Sequence, residues 1–205
     1  MATSLSNPAD IVNAALVRIG HHNQVGNLYD GSRAAQAALA IYGQTRDALL
    51  RDGDWGFAQR NVTLTLLKSA PPYGYVPPTT WDPTLYPPLN FLFEYGYPAD
   101  CLRVRSLRPT PFFIPNFNPT PVEFSIDNDN SYTPARRVIL SNLANAVCVY
   151  TGRVTDPTTM AVDFVQALVE ALSDPLAVAL TSAQIGQSEA AEARVDKSMA
   201  QMEQG

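Results

Sequence analysis

Fourteen of the seventeen prolines in this 205-residue chain lie between Pro71 and Pro134, and that clustering restricts the fold more than any other feature. Proline has no backbone N–H and its ring crowds the preceding turn, so a long helix is excluded there and continuous central strands are disfavoured wherever the prolines bunch. Helices are therefore expected at the two ends of the chain. The middle must be built from short strands and loops.

The N-terminal helix is expected over Asn7 to Gly20, with Asn7 as cap, Pro8 at the first helical position and Asp10 in the first turn. Ile11, Val12, Ala15, Leu16 and Ile19 form its apolar stripe, and Gly20 stops it. A polar connector holding His21 and His22, the only histidines, leads to the longest helical pattern, GSRAAQAALAIYGQTRDALLRDGDWGFAQR. Here Ala35, Ala38, Leu39, Tyr42, Leu49 and Leu50 follow the spacing that gathers side chains on one helix face. The helix opens after Asp30, Gly31 and Ser32 and is expected to close near Gly53, where a residue without a Cβ can turn left-handed. Trp55, Phe57 and Ala58 follow at its exit. Near the C-terminus, Phe164, Leu168, Leu172, Leu176 and Leu180 give a third helical stripe, which Pro175 is expected to kink or split. A fourth helix is expected over Ser188 to Gln204, with Ala191, Val195, Met199 and Met202 on a side thin enough to need another chain.

Between these ends the period changes. Val62, Leu64 and Leu66 alternate with Asn61, Thr63 and Thr65, as in a half-buried strand. Leu89, Phe91, Phe93, Tyr95 and Tyr97 alternate with Asn90, Leu92, Glu94 and Gly96, the strongest strand pattern of the chain. A turn at Pro98 to Asp100 leads to a strand through Leu102, Val104 and Ser106, and further strands are expected at Val122 to Ile126, Arg137 to Leu140 and Ala146 to Gly152. Two proline-aromatic tracts interrupt them. Ala70 to Pro88 carries Tyr73, Tyr75, Trp81 and Tyr86, and reads either as a loop folded on its own domain or as an arm for a neighbouring protein. Arg108 to Pro121 carries Phe112, Phe113 and Phe117, which would form a sticky patch if exposed. The fold class that follows is α+β: a small helical bundle of residues 1–60 and 156–205 with a β insertion of residues 61–155.

Composition and motifs exclude several functions. A net charge of −5 argues against binding nucleic acid by phosphate neutralisation. Arg103, Arg105 and Arg108 come close together, and alternation places the first two on one strand face, a solvated or subunit-contacting surface. Cys101 and Cys148 stand alone, so neither a disulfide framework nor a zinc site is expected, and both should be reduced and buried. The opening MATSLSNPADIV lacks the charged and apolar regions of a leader, and no run of some eighteen apolar residues is present, so a cytosolic protein or assembly is expected, without membrane contact. Asp52, Asp54, Asp82, Asp100 and Asp163 show no spacing that pairs them locally, and no nucleotide, zinc or nucleophile motif occurs. No catalytic residue, metal or cofactor is expected.

Four pieces taken in order resemble the bacteriophage head-to-tail adaptor family, also called tail tubular protein A. They are DIVNAALVRIG; the long helix with Tyr42, Arg46, Asp47, Leu49 and Leu50 running into DWGFAQR with Trp55, Phe57 and Ala58; YPADCLRV with Pro98 and Asp100; and AVCVYTGRVTDP with Thr155, Asp156 and Pro157. The resemblance implies a virion structural protein at the head-tail junction, assembled in the host cytoplasm as a homo-oligomeric ring of roughly twelve copies. Its implied partners are the portal and the tail nozzle or tail tube, with DNA only as passing cargo during genome ejection. Val195, Met199 and Met202 are then candidate portal contacts. Tyr73, Tyr75, Trp81, Tyr86, Phe112, Phe113 and Phe117 are candidates for neighbouring subunits or the tail. The acidic balance suits a channel along which DNA slides without adhering. Two other readings are a neck or head-completion protein of a long-tailed phage, and a virion-associated hydrolase, which a cleft holding carboxylates of shifted pKa would favour.

Overall fold

The computed structural model describes residues 5–71, 81–110 and 122–181, and it is an α+β fold with helices near both ends and antiparallel strands between. The chain divides into two compact units, Met1–Asp52 with Val154–Gly205, and Gly53–Arg153. Trp55, Phe57 and Ala58, at the exit of the long helix, belong to the second unit.

The first unit contains α1 (Pro8–Arg18), α2 (Arg33–Asp52) and α3 (Val162–Thr181). Asn7 caps α1 reciprocally: its side-chain oxygen accepts from the Asp10 N–H at 2.9 Å, and the Asp10 carboxylate accepts from the Asn7 N–H at 3.2 Å. Gly20, at φ +76°, ends the helix left-handed, with the Gly20 and His21 N–H groups donating to the Val17 and Leu16 carbonyls. Asn13 holds the connector by accepting from the Val25 N–H at 2.7 Å and donating to the Val25 carbonyl at 2.9 Å. Ser32 caps α2 through its hydroxyl, which accepts from the Ala35 N–H at 3.2 Å.

Gly53 works otherwise than its sequence position suggests. It is not a left-handed residue; its missing Cβ makes room for the Trp55 indole, which lies where that atom would be. Leu39, expected on the buried face of α2, is exposed, whereas Ala34 is buried. The buried stripe of α3 is as expected, with Phe164, Leu168, Leu172 and Leu176 fully enclosed, but Pro175 does not split the helix. The carbonyl that Pro175 leaves without its usual donor is that of Ala171, an exposed residue, so the outer face accommodates the loss. By length and composition alone α3 could cross a membrane. Its buried stripe, however, is enclosed by protein, while Asp163, Glu170 and Asp174 are exposed. The expected fourth helix, Ser188 to Gln204, lies outside the described residues.

The second unit holds seven strands: β1 (Gln59–Thr63), β2 (Leu66–Ser69), β3 (Phe93–Gly96), β4 (Cys101–Arg108), β5 (Phe124–Asp129), β6 (Arg136–Ser141) and β7 (Val147–Gly152). They pair antiparallel in two sheets, ordered β1-β7-β4 and β2-β3-β6-β5. Both sheets contribute to one core of Leu64, Tyr95, Cys101, Val104, Leu107, Ile139, Ala146, Cys148 and Tyr150. The half-buried strand expected over 61–66 is instead two strands in different sheets. All of β1 is exposed, and buried Leu64 marks the crossing, its N–H donating to the Ala146 carbonyl at 2.9 Å. The strongest strand pattern shortens to Phe93–Gly96, because proline-rich residues before it leave the ladder.

Two substitutions test the helical unit. Asn7→Ala should lower its unfolding free energy by about 1 kcal/mol, and Leu172→Ala by about 2–5 kcal/mol, in urea titrations followed by far-ultraviolet circular dichroism. Unchanged midpoints for both would contradict the assigned cap and core.

Candidate functional site

Antiparallel register places Lys68 of β2 opposite Glu94 of β3, Glu94 opposite Leu140 of β6, and Asp127 of β5 opposite Val138. Alternation puts these side chains on one sheet face, while Phe93, Tyr95 and Ile139 turn to the core on the other. Glu94 alternates with the core-facing aromatic residues of β3 and so lies on the opposite face of the sheet. It is 1% exposed, because residues 81–89 fold back across that face. Trp81 and Tyr86, candidates for intermolecular contact, are half-buried in this covering segment with ring centroids 5.0 Å apart.

The Lys68 ammonium, 6% exposed, joins the layers. It donates to the Pro83 carbonyl at 2.8 Å, to the Ser131 hydroxyl at 2.9 Å and to the Asp129 carboxylate. Its three protons are thereby used. Glu94 Oε1 lies 3.6 Å from the same nitrogen but has no hydrogen-bond partner. Burial, then the bond with Asp129, pushes the Glu94 carboxyl up to about 7 despite Lys68. Burial also acts to raise Asp129, but the bonds from Lys68 and Ser131 outweigh it and hold that carboxyl down at about 2. Below about pH 7 one ammonium and one carboxylate thus balance, with Glu94 carrying the proton that relieves the second negative charge.

Above this triad lies a cavity of about 590 Å³, walled by Trp81, Tyr86 and Leu89 on one side and by Asp127 and Asp129 on the other. Elsewhere in the same unit, arginines fasten the chain leaving Gly53. Arg105 donates to the Trp55 carbonyl at 2.9 Å, the Thr151 hydroxyl at 2.9 Å and Gln59 Oε1 at 3.2 Å, and Arg103 pairs with Asp54. The face expected to be solvated or intermolecular is largely an internal tie. Asp100 accepts from Arg60 and from the Tyr150 hydroxyl, and its carbonyl accepts from the Arg153 N–H at 2.8 Å. The Pro98 carbonyl closes the preceding turn by accepting from the Cys101 N–H.

In the helical unit, Tyr42, Arg46 and Thr155, drawn from two distant motifs, line one groove of about 550 Å³ with Tyr29 and Leu39. Tyr42 is buried and its hydroxyl has no partner, while Arg46 lies 6.0 Å from the Tyr42 ring centroid and pairs with Asp47 at 2.7 Å. Leu50 and Pro157 are buried, Ala58 is enclosed in the second unit, and Phe57 is half-buried 6.2 Å from Trp55. Asp156 caps a short turn by accepting from the Thr158 N–H at 2.9 Å. Val195, Met199, Met202, Tyr73, Tyr75, Phe112, Phe113 and Phe117 lie outside the described residues. Cys101 and Cys148 are buried thiols, Cys148 pushed up to about 12 by burial, which suppresses the thiolate. No group of three or more His, Cys, Asp or Glu side chains placed to hold a metal occurs among the described residues.

Sequence reasoning singled out none of Lys68, Glu94 and Asp129. They lie on three strands with no shared local spacing, and a Glu alternating with aromatics reads as an outward residue until something covers it. No family model matches this chain, and no curated protein matches it.

Because folded Glu94 keeps its proton above the unfolded value of 4.5, it contributes stability that is complete below about pH 4.5 and lost as pH rises towards 7. Asp129 acts oppositely, contributing above the unfolded value of 3.8 and losing that contribution as pH falls through about 2. Both tryptophans belong to this unit, so fluorescence-monitored urea unfolding reports on it. Stability should fall between about pH 5 and about pH 8 in the native protein and hold nearly level in Glu94→Gln. Asp129→Asn should cost about 3–5 kcal/mol, since it strips the buried ammonium of its ionised partner. An equal pH slope in Glu94→Gln would refute the proton assignment.

Proposed function

We propose that this chain is a structural adaptor of a bacteriophage particle, assembling as a closed ring between portal and tail around the path of the exiting genome. The observation that carries the reading is the groove of the helical unit. Tyr42, which is buried, and Arg46 from one family-like motif line one groove with Thr155 from another, beside Tyr29 and Leu39, which are 82% and 44% exposed. A groove edged by exposed apolar side chains suits a contact between molecules. A heterologous contact of this kind closes into a ring when its rotation divides the circle. The ordered resemblance of four motifs across most of the chain supports the same class, and the net charge of −5 suits a channel that repels phosphate.

The hydrolase reading has one observation in its favour, the carboxyl of Glu94 raised to about 7 beside a cavity. The geometry weighs against it. Acid and base carboxyls in glycoside hydrolysis stand roughly 5–9.5 Å apart across a substrate, whereas Glu94 and Asp129 close on each other and on one lysine. Asp129 is already engaged by Lys68 and Ser131, so the site suits recognition better than turnover.

Electron microscopy of the purified protein, alone and mixed with its portal, should reveal rings whose adjoining subunits each bury more than roughly 1,000 Å². Leu39→Asp, a change at an exposed position, should leave the helical content intact and abolish the ring. Removing residues 188–205 should leave a folded protein that no longer attaches to portals. Solitary particles in both preparations would overturn the adaptor reading, and unaltered attachment after the truncation would overturn the assignment of the C-terminal segment.

A further inference from the structure

We propose that the cavity over the four-stranded sheet is a socket for an arginine side chain presented by a partner protein, gripped between the Trp81–Tyr86 wall and the acidic side chains of Asp127, Asp129 and Glu94. This inference stands apart from the ring reading, since it concerns only the middle unit.

Charge balance is the first ground. Glu94, Asp127 and Asp129 border the cavity, whereas Lys68 is the only cationic residue lining it among the described residues. That ammonium is already committed to Pro83, Ser131 and Asp129, leaving Glu94 Oε1 buried without a hydrogen bond. Asp82, on the covering segment, also feels Lys68, so the surroundings are acidic beyond the lining itself. Tyr86 and Tyr132 also lie nearby, with the Tyr132 ring 5.2 Å from the Lys68 nitrogen. Arg136, paired in register with Asp129, stacks over the Tyr132 ring at 4.8 Å from its centroid and does not line the cavity. A cation inside the cavity, facing Asp127 and Glu94, is the missing charge. Its arrival would let Glu94 ionise beside Asp129.

Shape is the second ground. A volume of about 590 Å³ exceeds what a compact ammonium fills. The wall of Trp81 and Tyr86, with rings 5.0 Å apart and tilted by 43°, offers an aromatic face to a planar cation. A guanidinium stacks on such rings and forks its N–H groups to carboxylates, which an ammonium cannot do. Leu89, 76% exposed at the rim, can cover the aliphatic stem of the arriving side chain.

The test is a titration of the full-length protein with N-acetylarginine methylamide near neutral pH, following the Trp81 indole N–H by nuclear magnetic resonance. Trp81→Phe assigns that signal. Saturable shifts at Trp81, with a Kd on the order of millimolar, are expected, and at least about fivefold weaker binding of the uncharged citrulline analogue. Asp127→Asn, at an exposed position that leaves the buried triad intact, should weaken the arginine probe about threefold or more. Failure to saturate, equal binding of the citrulline analogue, or an unchanged Kd in Asp127→Asn would overturn the proposal. Saturation by spermidine without saturation by the arginine probe would also overturn it.

Discussion

The middle unit depends on one buried ammonium. Lys68 sits on β2, yet its bonds reach the loop at Pro83, the turn at Ser131 and the end of β5 at Asp129. A charge so deeply buried is tolerated only when fully paired and hydrogen-bonded, and that requirement fixes where the covering segment and the β5–β6 turn must lie. The proline-aromatic tract thereby becomes, over its described part, a lid on the sheet. The same requirement explains why Glu94 retains a proton: a second ionised carboxyl beside Asp129 would exceed what one lysine can balance.

The helical unit follows a different logic. No comparable buried ion pair organises it among the described residues; its definition comes from caps and from apolar stripes. The Asn7–Asp10 box, the left-handed Gly20 and the Ser32 cap set where α1 ends and α2 begins, and Asn13 holds the intervening connector to α1. Because α3 comes from the far end of the sequence, the middle unit is an insertion entered after Asp52 and left after Arg153. Insertion between segments of one core allows each unit its own chemistry.

The two candidate surfaces differ accordingly. The groove by Tyr42 is edged by exposed apolar side chains and suits packing against another protein surface, whereas the cavity by Trp81 is acidic and aromatic and suits a single cationic group. The arginines of β4 serve neither. Arg103 and Arg105 bind back onto Asp54 and Trp55, holding the chain where it leaves Gly53, so a cluster that looked available for partners mainly stabilises its own unit.

By itself the sequence determined what depends on neighbouring residues: the Asn7 cap, the stop at Gly20, the stripe from Phe164 to Leu180, the turn at Pro98, and the confinement of helices to the chain ends by proline. These are local, because capping, periodicity and ring geometry act over a few residues. Tertiary structure alone decided that Leu64 marks a passage between sheets, that Gly53 yields space to an indole rather than turning left-handed, and that Pro175 is accommodated within an unbroken helix. It also decided that Glu94 is buried, since an alternating pattern says which residues share a face but not what later lies across it. Lys68, Glu94 and Asp129 meet only through strand pairing over long sequence separations, and their charges acquire meaning only once water has been excluded.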